Sequence, residues 1–358
     1  MKGSVLIAAG GTGGHVIPAQ VVAEQLKNLG LSISFAACGL SSNPFFDRAA
    51  WPFHDIPAAP LSVRGFLPFV KKSSAGMVHS FGVLRKERPS LVIGFGSYHS
   101  LPLLAVATFL RIPFILYAGD AVPGRAVRLF APFARWTGCF FDEAASAIRG
   151  TTKLVAHPLR PSVLRSVSKE EGRAHFGLPT DTPAVLVLGG SQGAKSLNTM
   201  MPQVFDHLRH PPLVIHLAGP HADVDGLLHA YQRRHVTAAV RAYEMQMEYA
   251  FAACDAVIAR SGASAIAEIE AWEKPALYIP YPKAKDDHQT KNALLAQKRG
   301  MAIVIDEAEA RPKVIADHIL ALCADTSQKC DYGRKWPPSF VSQIVDTLHE
   351  VPICPRKG

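Results

Sequence analysis

Short apolar runs recur along the chain, each followed by a turn and then by a stretch with helical spacing. In the first half they are SVLIAAG at 4–10, SISFAAC at 32–38, SLVIGFG at 90–96 and PFILYAG at 113–119. The rhythm restarts at PAVLVLGG (183–190) and continues through LVIHLAG (213–219), DAVIARSG (255–262) and PALYIPY (275–281). Strands alternating with helical segments predict a parallel sheet with crossover helices. Two such series predict an α/β protein made of two Rossmann-like domains.

A break between the series falls at AHPLRPSVL (156–164), where Pro158 and Pro161 hold the backbone extended. The boundary is placed near Arg160, giving domains at 1–160 and 161–335. The terminal segment 336–358 opens with Pro337 and Pro338 and then has helical spacing to Leu348, so a last helix is expected to pack back on the first domain. A length of 358 residues agrees with two domains, since it exceeds what one hydrophobic core usually fills.

Hydrophobic residues make up 48% of the chain and charged residues 19%, a globular balance that leaves no room for a long disordered tail. The net charge of +9 favours an acidic partner: a nucleic acid, a phosphorylated ligand or an anionic membrane surface. Without a long Lys/Arg block or a finger, RRM-like or homeodomain pattern, nucleic acid is not the expected partner. The six cysteines (Cys38, Cys139, Cys254, Cys323, Cys330, Cys354) lie far apart with no CxxC, as expected of reduced thiols in a cytosol, without disulfides or structural zinc. The opening MKGSVLIAAGG reads as a first strand rather than a signal peptide. No apolar run reaches the roughly 18 to 20 residues of a spanning helix, so work at a membrane would be done from its surface.

Two glycine loops carry the first candidate chemistry. GGTGGHVIPA (10–19) closes the first strand and opens a helix, where backbone N–H groups and the helix dipole favour an anion; the alternative is a tight turn needed only for packing. A dinucleotide fingerprint fails here, because Val16 stands at the third glycine position and no acidic residue ends the second strand. His15 sits just inside this loop, at the edge where open α/β folds bind ligands, and can accept a proton from an attacking hydroxyl or serve a structural role. LGGSQGAKS (188–196) repeats the arrangement in the second half, with the Ser191 hydroxyl available to a diphosphate. It misses a P-loop because Ala194 precedes Lys195 where glycine is required, which disfavours an ATPase. One anion loop per half points to a ligand bridging a cleft between the domains.

Further on, ARSGASAIAEIEAW (259–272) places Glu268 in the second turn of a helix, where a carboxylate can accept both hydroxyls of a ribose or can simply be a solvated residue. PYPKAKDDHQTKNA (280–293) offers amide donors and acceptors for sugar hydroxyls, or is a plain surface loop. LSVRGFLPFVKKSSAGMVHSF (61–81) mixes Leu61, Val63, Phe66, Leu67, Phe69 and Val70 with Arg64, Lys71 and Lys72. Such a stretch suits a headgroup region, apolar residues dipping in and cations meeting anionic lipid, as does RLFAPFARW at 128–136; packing against a core is the other use of such helices.

GGTGGH at 10–15, GFGSYHS at 94–100, HPLR at 157–160, GGSQGAK at 189–195, RSGASAIAE at 260–268 and DDHQTKNA at 286–293 together resemble the ordered motifs of the MurG family, glycosyltransferases of family 28 with the GT-B fold. The resemblance spans nearly the whole chain. It implies a cytoplasmic enzyme, peripheral on the inner face of an anionic cell membrane, that moves GlcNAc from UDP-GlcNAc to the C4 hydroxyl of undecaprenyl-diphospho-MurNAc-pentapeptide (lipid I), inverting the anomeric carbon and making lipid II of peptidoglycan. It also implies that parallel sheets of two domains face a central cleft, with the acceptor and membrane on the first domain and UDP-GlcNAc on the second.

By the same resemblance Arg160 and Ser191 face the diphosphate, with Gln192 beside the sugar, and the backbone of Glu244 meets the uracil. Ala263, Ser264, Ala265, Ile266, Ala267 and Glu268 line the nucleotide and sugar, with Glu268 on the ribose. Gln289 binds GlcNAc hydroxyls, supported by Asn292. Thr12, Gly13 and Gly14 belong to the first-domain loop that completes the donor set, with Gly11 on the acceptor side, and His15 becomes the candidate base. One block departs from the family: where it reads HEQN, this chain has Tyr117, Ala118, Gly119 and Asp120. Asp120 takes the place of an active-site asparagine, bringing a charge and losing an amide donor. His288 likewise replaces one of two paired glutamines.

The expected reaction is one direct displacement, in which a base deprotonates the acceptor hydroxyl as it attacks C1 and UDP leaves on the opposite face. Helix N-termini, Ser191 and Arg160 would meet the leaving charge. No carboxylate pair with metal spacing is present, so neither a metal nor another cofactor is expected. The altered YAGD block also fits an inverting transferase for another glycolipid. A catalytically weak UDP-sugar-binding scaffold is the alternative of a different class.

Overall fold

A computed structural model describes residues 3–59, 66–300, 302–324 and 337–350, with side chains at all of these but 66–71 and 324. Strand β1 (Ser4–Ala8) is buried from Val5 onward. A strand with no solvent face must be covered by helices on both sides, which is the setting of a parallel sheet. With β2 (Ser32–Ala37), β3 (Phe53–Asp55), β4 (Leu91–Gly94), β5 (Phe114–Ala118), β6 (Thr137–Cys139) and β7 (Thr152–Leu154) it forms a seven-stranded parallel sheet in the order 3-2-1-4-5-6-7. The register is set by pairs such as Leu6 with Ser34 on one side and Val92 on the other. The crossovers and flanking connections carry α1 (Gly13–Asn28), α2 (Phe66–Glu87), α3 (Leu101–Phe109), α4 (Arg125–Phe130) and α5 (Asp142–Ser146).

A second parallel sheet follows, with strands β8 (Ala184–Leu188), β9 (Leu213–Leu217), β10 (Ala238–Arg241), β11 (Ala256–Ala259), β12 (Ala276–Tyr278) and β13 (Ala302–Val304) in the order 10-9-8-11-12-13. Its helices are α6 (Lys169–Phe176), α7 (Lys195–Val204), α8 (Val224–Gln232), α9 (Met247–Ala253), α10 (Ala263–Ala271), α11 (His288–Arg299) and α12 (Pro312–Ala324). All eight apolar runs of the sequence are strands. The five strands that the runs did not announce are short, and four of them (β3, β7, β10, β13) are half-buried.

The chain divides into two compact units, Met1–Pro158 with Trp336–Gly358, and Leu159–Lys335. The last helix, α13 (Phe340–Glu350), belongs to the first unit. Its Phe340, Val341, Ile344 and Leu348 join Leu26, Phe35, Tyr117 and Trp136 in that unit's core. Trp136 Nε1 donates to Thr347 Oγ1 at 2.8 Å, and Lys153 Nζ donates to Gln343 Oε1 at 2.9 Å. Gly138 in β6 makes the space: a Cβ there would come within 2.8 Å of the Phe340 ring. The second unit has its own core around Val185, Val187, Leu197, Met201, Ile258 and Ile315. There the fully buried Arg173 spends its guanidinium on the carbonyls of Ala253, Pro179 and Thr182 and on the Asp255 carboxylate.

Phe340→Ala should therefore cost the first unit about 3–5 kcal/mol, the usual penalty for emptying a buried phenylalanine site. Scanning calorimetry should show the first unit's transition fall with the second's unmoved; a loss below about 1 kcal/mol would mean that α13 is not an integral part of this core.

Candidate active site

Strand order reverses between β1 and β4 in the first unit and between β8 and β11 in the second. At such a point neighbouring loops leave the sheet in opposite directions, and open α/β sheets bind their ligands in the crevice between them. GGTGGH and GFGSYHS follow β1 and β4, and GGSQGAK and RSGASAIAE follow β8 and β11, at these two places.

In the first unit Gly11, at φ 91°, turns the chain out of β1, and Thr12 caps α1 with an extended backbone. Thr12 Oγ1 lies 3.2 Å from His15 Nδ1, so the ring of the candidate base is held from its own helix turn. The loop after β4 faces this turn and contains Ser97, whose Oγ is 2.6 Å from His99 Nδ1. The motif GFGSYHS does not by itself single out these two residues; a serine and a histidine two apart at a switch point are the available signal.

At the end of β5, Asp120 follows a buried pair. The Tyr117 hydroxyl and His157 Nδ1 are 2.7 Å apart. Burial holds His157 down to about 4 against the opposing pull of the Asp120 charge, while burial and that charge hold the Tyr117 phenol well above its ordinary value. At neutral pH the bond therefore joins an un-ionised phenol to an uncharged imidazole. The HPLR histidine thus sits beneath the YAGD block, a link that the spacing of the two motifs gave no sign of.

In the second unit the loop 189–194 turns at Gly190 and Gly193, with φ 82° and 74°. Gly193 has no room for a side chain, since a Cβ would lie 2.3 Å from the Ala218 carbonyl oxygen. Ser191 and Gln192 are exposed on this turn, and α7 then begins with no side-chain cap on its first-turn amides. Across the switch point α10 begins after Gly262, again without a side-chain cap. Two helix starts of this kind, with positive dipole ends, suit an anion. The nearly buried Arg260 fixes both edges, donating to the carbonyls of Ile279 and Pro280, to Ser196 Oγ and to Glu307.

Glu268 stands in the second turn of α10, partly accessible and closely surrounded. Burial raises its carboxyl to about 7, with the Arg160 charge opposing the rise. Among the described residues no hydrogen bond is made to it, so both oxygens remain acceptors. Arg160 is half-buried, and its Nε is a buried donor with no partner among the described residues. Ile266 and Ala267 turn into the core, fully buried, which leaves Ala263, Ser264 and Ala265 at the open end of the helix. Gln289 Oε1 accepts from the Tyr281 backbone N–H at 3.0 Å, bracing the loop after β12, and buried Asn292 donates to the Ser261 carbonyl at 3.1 Å, bracing the turn between β11 and α10. His288 Nδ1 is 2.8 Å from the Lys285 carbonyl oxygen in that loop, beside Asp286 and Asp287, which have left-handed backbones.

Glu244 is buried, and its carboxylate is held by Arg241, by His175 at 3.0 Å and by the Gln246 backbone N–H at 2.8 Å. That clamp fixes the loop after β10 and was not visible in sequence, because its three side chains come from two separate elements. A groove of about 680 Å³ opens between α7 and α8, lined by Gln192, Lys195, Asn198, His221, Asp223 and Arg234. It lies one strand away from the switch point.

The donor residues inferred from the motifs divide between the units: Thr12, Gly13 and Gly14 lie with His15, Gly11 and Asp120 in the first, and Arg160, Ser191, Gln192, Glu244, Ala263–Glu268 and Gln289 in the second. Among the described residues no group of three or more His, Cys, Asp or Glu is placed to hold a metal ion. Phe66, Leu67, Phe69 and Lys71 open α2, but their side chains lie outside the described ones, as do Leu61, Val63 and Arg64 altogether; Lys72 is exposed.

Two parallel α/β units, each with a glycine loop and open helix starts at its switch point, are the architecture of the GT-B fold. The chain belongs to glycosyltransferase family 28: residues 5–138 match its N-terminal domain and residues 184–345 its C-terminal domain. It is 38% identical to the UDP-N-acetylglucosamine--N-acetylmuramyl-(pentapeptide) pyrophosphoryl-undecaprenol N-acetylglucosamine transferase of Protochlamydia amoebophila, over 98% of this chain and 99% of the relative. To the protein of the same name from Halothermothrix orenii it is 34% identical, over 96% and 98%. Among solved structures, MurG of Acinetobacter baumannii superposes with a TM-score of 0.77 at 24% identity, over 98% of this chain and 100% of that one, a likeness of fold.

Glu268→Gln should stabilise the unliganded protein, and more so at alkaline pH. A carboxyl raised from 4.5 to about 7 binds more protons folded than unfolded between those values, so its contribution is fully present below 4.5 and is lost as pH rises through 7. Unfolding at pH 8.5 should show the variant ahead by about 1–3 kcal/mol, with little difference at pH 4.5. An equal effect at both pH values would count against a protonated Glu268.

Proposed function

We propose that this chain transfers GlcNAc from UDP-GlcNAc to the C4 hydroxyl of undecaprenyl-diphospho-MurNAc-pentapeptide, with inversion, making lipid II. The observation that carries the reading is the near full-length match to relatives bearing that name, combined with switch points furnished for such a transfer. In the first unit, His15 with Nδ1–H donated to Thr12 Oγ1 keeps a lone pair on Nε2, which takes the proton of the acceptor hydroxyl as that oxygen attacks C1. In the second unit, the starts of α7 and α10, the Ser191 hydroxyl and Arg160 meet the charge of the departing UDP. The Glu268 carboxylate accepts the ribose hydroxyls, the clamped backbone at Glu244 reads the base, and Gln289 offers its amide N–H₂ to the sugar. This set handles the diphosphate charge with its own cation and dipoles, so neither a metal nor another cofactor is part of the proposal.

The acceptor is a lipid, and the first unit supports contact with an anionic surface. Val78 and Phe81 on α2, Phe109 at the end of α3, Leu129 on α4 and Phe133 just after it are exposed, while Phe130 and Trp136 of the same RLFAPFARW run are buried. Arg85 lies over the Phe81 ring at 5.5 Å, and Arg128 is beside Leu129. Among the described residues no helix is long and apolar enough to cross a membrane. The proposal is peripheral attachment at the inner face of the cell membrane, with no role for nucleic acid. Asp120 favours a second reading, transfer to a different glycolipid, because its charge stands where the family has an amide.

Purified protein should transfer labelled GlcNAc from UDP-GlcNAc to a short-chain lipid I analogue. His15→Ala should lower kcat by about 10²–10⁴ with donor binding kept. If Asp120→Asn is active while the wild type is not, the acceptor is a different one; binding of UDP-GlcNAc with no transfer by either would leave a scaffold. In flotation with vesicles containing anionic lipid, Leu129→Ser with Phe133→Ser should weaken attachment, and unchanged flotation would move the membrane surface elsewhere.

A further inference from the structure

The loop that faces the first glycine turn has an unusual backbone. Ser97 has φ 68° and ψ 151°, a conformation in which a residue with a Cβ is strained and glycine is not. The neighbourhood over-determines it. Buried Ser100 donates its hydroxyl to the carbonyls of Gly96 at 2.7 Å and Ser97 at 2.9 Å, and the Cys38 N–H donates to the His99 carbonyl at 3.1 Å. Ser97 Oγ in turn is 2.6 Å from His99 Nδ1, and the Tyr98 ring lies against His99 with centroids 3.9 Å apart.

The two loops interlock through their histidines. A Cβ on Gly10 would come within 2.8 Å of His99 Cβ, and one on Gly11 within 3.0 Å of the His99 ring, so this imidazole rests on the glycine turn. A Cβ on Gly96 would lie 3.3 Å from Val127 Cγ2 and 3.9 Å from His15 Cδ2 and Nε2, so the His15 ring lies beside the turn that Ser97 shapes. His99 uses the absence of a side chain at Gly10 and Gly11, and His15 neighbours the loop that carries His99. Burial, with a smaller part from the His15 charge, keeps His99 below the ordinary imidazole value.

We propose that Ser97 and His99 are a positioning pair for the acceptor half of the reaction: the Ser97 hydroxyl orients His99, and His99 sets the glycine turn that aims the His15 ring. A serine is retained in a glycine conformation because its hydroxyl is needed. The proposal rests on the glycosyltransfer reading, with His15 as the base, and assigns no contact with the donor. A displacement of the base by a fraction of an ångström is costly because proton transfer needs close, aligned atoms.

The test is transfer kinetics together with melting of Ser97→Gly, Ser97→Ala, His99→Val and the double variant Ser97→Ala/His99→Val. Ser97→Gly relieves the backbone and should melt a few degrees above wild type, yet lose about tenfold in kcat with KM for UDP-GlcNAc unchanged. Ser97→Ala keeps the strain without the hydroxyl, so it should lose kcat without any gain in melting temperature. The double variant should be no slower than His99→Val alone, since Ser97 acts through His99. A Ser97→Gly enzyme with kcat within about twofold of wild type would overturn the proposal, as would single losses that multiply in the double variant. A donor KM that rises in step with the loss of kcat would also overturn it. Absence of transfer by wild type on lipid I would instead strike the functional reading on which the proposal stands.

Discussion

Parallel pairing is the constraint on which the rest of this structure depends. Strands that all run one way end at one edge of the sheet, and every crossover helix that packs on it must begin there. Each unit therefore collects its glycine turns, its helix starts and their unpaired N–H groups along a single line. The reversals at β1/β4 and β8/β11 open that line where two loops part. Close approach of backbone to backbone is the cost, visible where Gly193 presses on Ala218 and where His99 presses on Gly10 and Gly11.

Buried charge is treated differently at the edges of the sheets and at the site. Arg173 and Arg260 are surrounded by carbonyls and a carboxylate, so their ionisation is satisfied internally and they act as rigid ties between elements. Glu268 is the opposite case, with burial but no hydrogen-bond donor among the described residues, and its proton is retained to about neutrality. A group left in that condition is open to a ligand that brings donors to it.

The fold was legible because eight runs were long enough and apolar enough to show their character, and glycine-rich turns marked where each ended. β3, β7, β10 and β13 escaped because three or four residues with half-exposed sides carry no period. The glycine loops, His15 and Glu268 could be picked out because each belongs to one contiguous motif. The Tyr117–His157 bond, the clamp of Arg241 and His175 on Glu244, and the facing of His99 and His15 could not, since each joins residues from separate loops and depends on strand order. Within 263–268 the side chains of Ile266 and Ala267 are buried, a difference from their neighbours that the contiguous motif does not display.

The return of α13 to the first unit has a consequence for how the protein is made. Emerging from the ribosome in order, the first unit presents its seven strands long before Phe340 exists, so the hollow over Gly138 stays open while the entire second unit is being synthesised. The second unit, by contrast, is contiguous and can close its core as soon as its own last strand and helix have appeared. Nascent chains would thus carry an unfinished amino-terminal half until the residues of α13 have emerged.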